Sequence, residues 1–112
     1  RFPELFRHLM KQQVNMIALP SAFTATTGRA HWEILVRARA IENQCFLIAP
    51  DQASGRDSKR PTWGHSMVVS PWGEVLAELE EQGSGVATTE INLRGQEQLR
   101  KRFPALQHCR VL

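Results

Sequence analysis

The sequence predicts an α/β layered domain, and three observations carry that reading. Two short, wholly apolar runs, Met16-Ile17-Ala18-Leu19 and Cys45-Phe46-Leu47-Ile48-Ala49, read as strands buried on both faces, as in a parallel sheet. Segments of helical periodicity stand before and between them. A Ser-Pro-Trp-Gly turn at residues 70–73 separates two further strand-like runs, which marks a hairpin.

The elements follow in order. Residues 3–13 form an amphipathic helix, with Leu5, Phe6, Leu9 and Met10 on one face. Pro3 suits the first helical position, and Glu4 puts negative charge at the positive end of the helix dipole. A helix opening so early implies a strand or loop before it. A strand over 15–19 is closed by Pro20, and the small-residue loop 21–28 follows directly. Loops at the carboxyl ends of strands in α/β sheets are where ligands bind. A second helix covers 30–43. Its apolar residues, among them Trp32, Ile34, Val36, Ala40 and Ile41, point nearly all the way round, so burial on several sides is expected, with another subunit as one source of cover. Its charges fall in pairs, Glu33 with Arg37 and Arg39 with Glu42. Strand 45–49, a polar loop over 50–61, strand 65–69, the turn, strand 75–79, a second turn over 80–84, strand 85–91 and a helix over 93–102 stopped by Pro104 complete the order α-β-α-β-β-β-β-α. No internal repeat or linker divides the chain.

The composition is globular: of 112 residues, 42% are hydrophobic and 22% charged. The net charge of +3 invites an anionic partner, but the distribution argues against nucleic acid. The densest basic cluster, Arg100-Lys101-Arg102, sits beside Glu97 and reads as a solvated helix end, and no aromatic residues interleave with it. No apolar run suits a membrane, so no membrane partner is expected. Two cysteines without metal or disulfide spacing point to a reducing, cytoplasmic setting. Cys45, inside an apolar run, reads as an inert core thiol. His65, at the start of a strand, either orients an active-site group or is structural. His31 adjoins the 21–28 loop, while His8 and His108 read as surface residues. No cluster has metal-ligand spacing and no phosphate loop is present, so neither metal nor cofactor is expected.

Longer strings say more. Arg1-Phe2-Pro3-Glu4, Pro20-Ser21-Ala22-Phe23-Thr24, Thr27-Gly28, Ala30-His31-Trp32-Glu33, Arg37-Ala38-Arg39-Ala40-Ile41-Glu42-Asn43, Gly64-His65-Ser66-Met67-Val68-Val69 and Pro71-Trp72-Gly73 occur in this order. Together they resemble the C-terminal half of the nitrilase superfamily of carbon–nitrogen hydrolases. The likeness is greatest to the Nit branch, which includes deaminated glutathione amidases and omega-amidases. The resemblance covers the whole chain and makes it a partial carbon–nitrogen hydrolase domain, residues 1–112.

That resemblance implies an α-β-β-α sandwich of four layers, a homodimer or larger homo-oligomer, and hydrolysis of a small-molecule amide of a carboxylic acid. It also implies a cysteine nucleophile, a glutamate base and an oxyanion-stabilising lysine, all located before Arg1. This stretch alone is therefore expected to be inactive. The alternative is a non-catalytic interaction module or degenerate homologue. By the same resemblance, Arg1 binds a substrate carboxylate, although an ion pair with Glu4 or with an acidic residue before it also accounts for it. Ala22 and Phe23 line an acyl pocket. Thr27 helps hold the carboxylate, or caps the second helix. Glu33 matches a buried acid that supports the site, or pairs with Arg37, and His65 supports the same wall. Two departures, Ser70 where relatives often have Asp and the unusual loop 51–63, bear on substrate identity.

Overall fold

A computed structural model describes residues 1–55 and 57–111; Arg56, within the loop expected over 50–61, lies outside the described residues. The chain runs α1 (Pro3–Met10), β1 (Met16–Ala18), α2 (Ala25–Asn43), β2 (Phe46–Ala49), β3 (Met67–Val69), β4 (Val75–Glu78) and α3 (Leu93–Arg102), then a 3₁₀ turn, Ala105–His108. The strands form one sheet in the order β1-β2-β3-β4. β1 and β2 are parallel, with Ile17 opposite Leu47, and α2 is the crossover that parallel neighbours require. β2–β3 and β3–β4 are antiparallel, and the second pair carries an irregularity between Val68 and Val69.

The core lies between α2 and one face of the sheet. Trp32, Val36 and Ala40 of α2 meet Ile17, Leu47, Ala49, Met67 and Val69, with Phe6 of α1 closing one side. On the other face Met16 is 44% and Ile48 39% exposed, so the expected burial of these strands on both faces is corrected to one covered face among the described residues. The smallest extent of the molecule is 20 Å, about the thickness of one helix layer on one sheet. The fold is thus the mixed α/β architecture expected, with helices layered on one face of a four-stranded sheet.

Four features differ from expectation. α1 stops at Met10 rather than residue 13, since Gln13 takes a left-handed φ of 57°. α2 begins at Ala25 rather than residue 30, because Thr24 caps it. The all-round burial expected of α2 does not hold: Ile34 is 70% and Ile41 50% exposed, opposite the buried Trp32–Val36–Ala40 stripe. Residues 85–91 form no strand, and β4 remains the sheet edge. Gly83 turns the chain at φ 88°, and Val86 stays 88% exposed.

α3 matches its expected span, opened by Asn92, whose Oδ1 accepts from the Gly95 amide at 2.8 Å. The basic cluster at its end divides. Lys101 pairs with Glu97 at 2.6 Å and Arg102 is exposed, as a solvated end should be. Arg100 instead turns inward, donating to the Gln44 carbonyl, Asn15 Oδ1 and the Val14 carbonyl at 3.0–3.1 Å. With Gln96, which donates to the carbonyls of Asn15 and Gln44, it ties together the entries to β1 and β2. No helix among the described residues is long and apolar enough to cross a membrane.

Candidate functional site

The carboxyl ends of the parallel strands β1 and β2 are the crevice where an α/β sheet binds its ligands. Here both chains run on past a proline and remain in register. The Leu19 amide donates to the Ile48 carbonyl, Ser21 to Pro50, and Gln52 back to Ser21, at 2.8–2.9 Å. Ser21 and Asp51 form a parallel bridge. The loop is therefore short, residues 21–24, since Thr24 Oγ1 already accepts from the Thr27 amide and starts α2. Four residues after Thr24, Gly28 lies against Trp63 so closely that a Cβ there would overlap the indole, which explains a glycine inside a helix.

Phe23 is the centre of the loop. Its ring tilts against buried Trp32, with centroids 4.9 Å apart. The Arg1 guanidinium lies over the same ring at 5.1 Å and donates from Nη2 to His31 Nδ1 at 3.3 Å. The alternative ion pair between Arg1 and Glu4 does not form among the described residues. Arg39, paired with Glu42 at 3.0 Å, reaches the Arg1 carbonyl at 3.4 Å. Arg1, Phe23, His31 and Trp32 thus form one cluster at the front of α2.

The other sequence-derived candidates stand around it. Thr27 lies one turn before His31, and its hydroxyl bonds to Thr24 Oγ1 at 2.8 Å, completing the cap that Thr24 provides. Ala22 is exposed at the loop tip. Glu33 is not the buried acid expected: its side chain is 56% exposed and pairs with Arg37 at 3.0 Å. Arg37 Nε in turn donates to the Gly73 carbonyl at 2.8 Å, securing the β3–β4 turn to α2. His65 has a left-handed φ of 54°, stacks on Trp63 at 4.4 Å and bonds through Nδ1 to Glu78 Oε1 at 3.0 Å. Its carbonyl accepts from Trp32 Nε1 at 2.9 Å, so His65 links the loop after β2 to the helix core.

Asp51 is the site residue that the sequence reading passed over as part of a polar loop. It is 5% exposed, and Oδ1 accepts from the Phe23 amide at 2.8 Å. Oδ2 is buried without a hydrogen-bond partner. Ser66 brackets the backbone of Asp51, accepting from its amide and donating to its carbonyl. Its position directly after an apolar parallel strand was the available signal. Burial pushes the Asp51 carboxyl above its ordinary value, against the opposing pull of the Phe23, Gln52 and Gly64 amides and of His65.

Cys45 is fully buried, and burial raises its thiol to about 12, which leaves it protonated and inert. No group of three or more His, Cys, Asp or Glu among the described residues is placed to hold a metal ion. A hollow of about 510 Å³ lies at the opposite end of the strands, lined by Met10, Gln44, Arg100 and Leu106 among others, and includes none of the cluster.

The raised Asp51 carboxyl has a consequence for stability. Its folded value exceeds its unfolded one, so the proton-bound folded state is favoured at low pH, and that advantage is lost as pH rises through the folded value. Asp51→Asn should therefore unfold at a higher urea midpoint than wild type at pH 7. The gap should close below about pH 4, the ordinary range of an aspartate. A gap that is constant across pH would separate Asp51 ionisation from stability.

Comparison with known proteins bears on this geometry. Residues 1–101 match the model of the family described as carbon-nitrogen hydrolase. The chain is 47% identical over 108 residues to the deaminated glutathione amidase of Synechocystis, covering 96% of this chain and 39% of that protein. It superimposes on the crystal structure of the C. elegans NitFhit protein with a TM-score of 0.92 at 46% identity, over 98% of this chain and 26% of that one. For Saccharomyces cerevisiae Nit3, described as a member of branch 10 of the nitrilase superfamily, the TM-score is 0.87 at 35% identity, over 93% and 38%. The chain spans well under half the length of each of these relatives. With a family match over nine-tenths of its residues and this agreement in fold, the chain belongs to the carbon-nitrogen hydrolase family.

Proposed function

We propose that the protein is an amidase that hydrolyses the amide of a small carboxylic acid, of the deaminated glutathione amidase or omega-amidase type. Residues 1–112 supply the wall that receives the carboxylate. The observation that carries this reading is the Arg1 guanidinium, held over Phe23 and against His31 at the carboxyl ends of parallel strands. A guanidinium fork matches a carboxylate with two parallel hydrogen bonds. The Phe23 ring offers apolar surface to the methylenes of the substrate, with Ala22 beside it. Thr27 contributes a hydroxyl on the same helix face as His31 once it yields its bond to Thr24. Glu33 and His65 act at a distance, through Arg37 and through Trp32, by keeping α2 and its loops in register.

The chemistry belongs to residues outside 1–112: a cysteine thiolate, an oxyanion-stabilising lysine and a glutamate base. The thiolate adds to the amide carbon, the C–N bond breaks as the glutamate delivers a proton to the leaving amine, and water then cleaves the thioester. Residues 1–112 alone are expected to give no turnover. The reading includes a cytoplasmic setting, in keeping with two free cysteines. It also includes a homodimer or larger homo-oligomer joined through α2, whose exposed Ile34 and Ile41 supply an apolar surface. A non-catalytic interaction module would use that same surface and show no turnover in the intact protein.

Arg1→Ala in the intact protein should raise KM for a carboxylate-bearing amide by about tenfold or more, and leave a neutral amide of similar size within about twofold. Equal losses on both substrates would remove Arg1 from carboxylate binding. Ile34→Asp should shift the intact protein toward monomer in sedimentation; an unchanged mass would move the interface away from this part of α2.

A further inference from the structure

We infer that Asp51 is a positioning residue for carboxylate recognition: through its bond to the Phe23 amide it fixes the ring on which the Arg1 guanidinium rests. The inference deepens the proposed function and rests on it.

The backbone of Phe23 is held on both sides from the segment that follows β2. Its carbonyl accepts from the Trp63 amide at 2.9 Å, and its amide donates to Asp51 Oδ1 at 2.8 Å. The neighbouring loop residue Ser21 is held by main-chain bonds to Pro50 and Gln52. The amide of Phe23 is different, since it depends on a side chain. Removing that side chain leaves the residue bearing the ring anchored from one side only. The ring then has freedom to shift relative to Trp32, and the cation above it loses its seat.

The choice of a carboxylate needs explaining, because its cost is visible. Asp51 is 5% exposed and Oδ2 has no hydrogen-bond partner, whereas an amide side chain would accept from Phe23 without burying charge. What a carboxylate adds is strength: a charge-assisted N–H···O⁻ bond is about twice as strong as a neutral one. The position is also suited to its task. Asp51 bridges Ser21 across the end of the sheet, and Ser66 clamps its backbone from β3's approach, so the carboxylate is presented from the rigid end of two strands. Rigid support for a recognition group is what a binding wall requires.

The test compares Asp51→Ala, Asp51→Asn and wild type in the intact protein by steady-state kinetics and by hydrogen exchange at the Phe23 amide. Asp51→Ala should raise KM for a carboxylate-bearing amide about tenfold with kcat within about twofold, leave a neutral amide nearly unchanged, and speed Phe23 exchange about tenfold or more. Asp51→Asn, which keeps an acceptor but gives up the charge, should fall between wild type and Asp51→Ala in both measurements. Should Asp51→Ala fail to fold, Asp51→Glu displaces the acceptor by one methylene and should give the same KM increase. Unchanged Phe23 exchange or unchanged KM in the displaced-acceptor variants would overturn the inference, as would equal losses on charged and neutral amides. If wild type turns over no amide, the functional reading fails by itself, and unchanged exchange in Asp51→Ala would still overturn the Phe23 clamp.

Discussion

The buried indole of Trp32 is the contact on which the rest of this structure depends. It is fully enclosed, and it faces three ways at once. Its ring packs in the core between α2 and the sheet, its edge receives Phe23, and its Nε1 donates to the His65 carbonyl. One side chain thus sets the depth of the helix on the sheet and the position of two loops that leave the sheet at its carboxyl end. Burying an aromatic ring of this size contributes about 2–3 kcal/mol, and the indole N–H would cost heavily if left without an acceptor. The unusual φ of His65 is the local strain that presents its carbonyl to that N–H.

Polar groups at the two ends of the parallel pair do different work. At the amino end, Gln96 and Arg100 of α3 satisfy the carbonyls of Val14, Asn15 and Gln44, with each guanidinium nitrogen of Arg100 making one hydrogen bond. At the carboxyl end the Arg1 guanidinium makes one long hydrogen bond and one ring contact among the described residues. Asp51 lies at that end as a buried carboxyl group. The two arginines thus differ in how far the fold itself occupies them.

Much of this was legible in the sequence. The end of α3 is announced by Pro104 after it, and the β3–β4 hairpin by Pro71 and Gly73. The parallel pairing of β1 and β2 followed from two apolar runs separated by a helix. The start of α2 was hidden because Thr27-Gly28 reads as a break, while the glycine is there for its approach to Trp63. Residues 85–91 resemble a strand by local composition, yet they form no ladder with β4, and Val86 stays 88% exposed. The exposure of Glu33 and the inward turn of Arg100 depend on which side of a helix meets the sheet, a tertiary fact that spacing alone does not contain. Asp51 was missed for the same reason: only the register of β2 beside β1 carries it to Phe23.

In the proposed function, the cluster of Arg1, Phe23 and His31 receives the carboxylate of an amide substrate. A crystal structure of the intact protein with the dicarboxylic acid product of an ω-amide substrate tests it most directly. One carboxylate should sit at about 2.7–2.9 Å from the Arg1 guanidinium, above the Phe23 ring. A product seated elsewhere, with Arg1 still bonded only to His31, would contradict it.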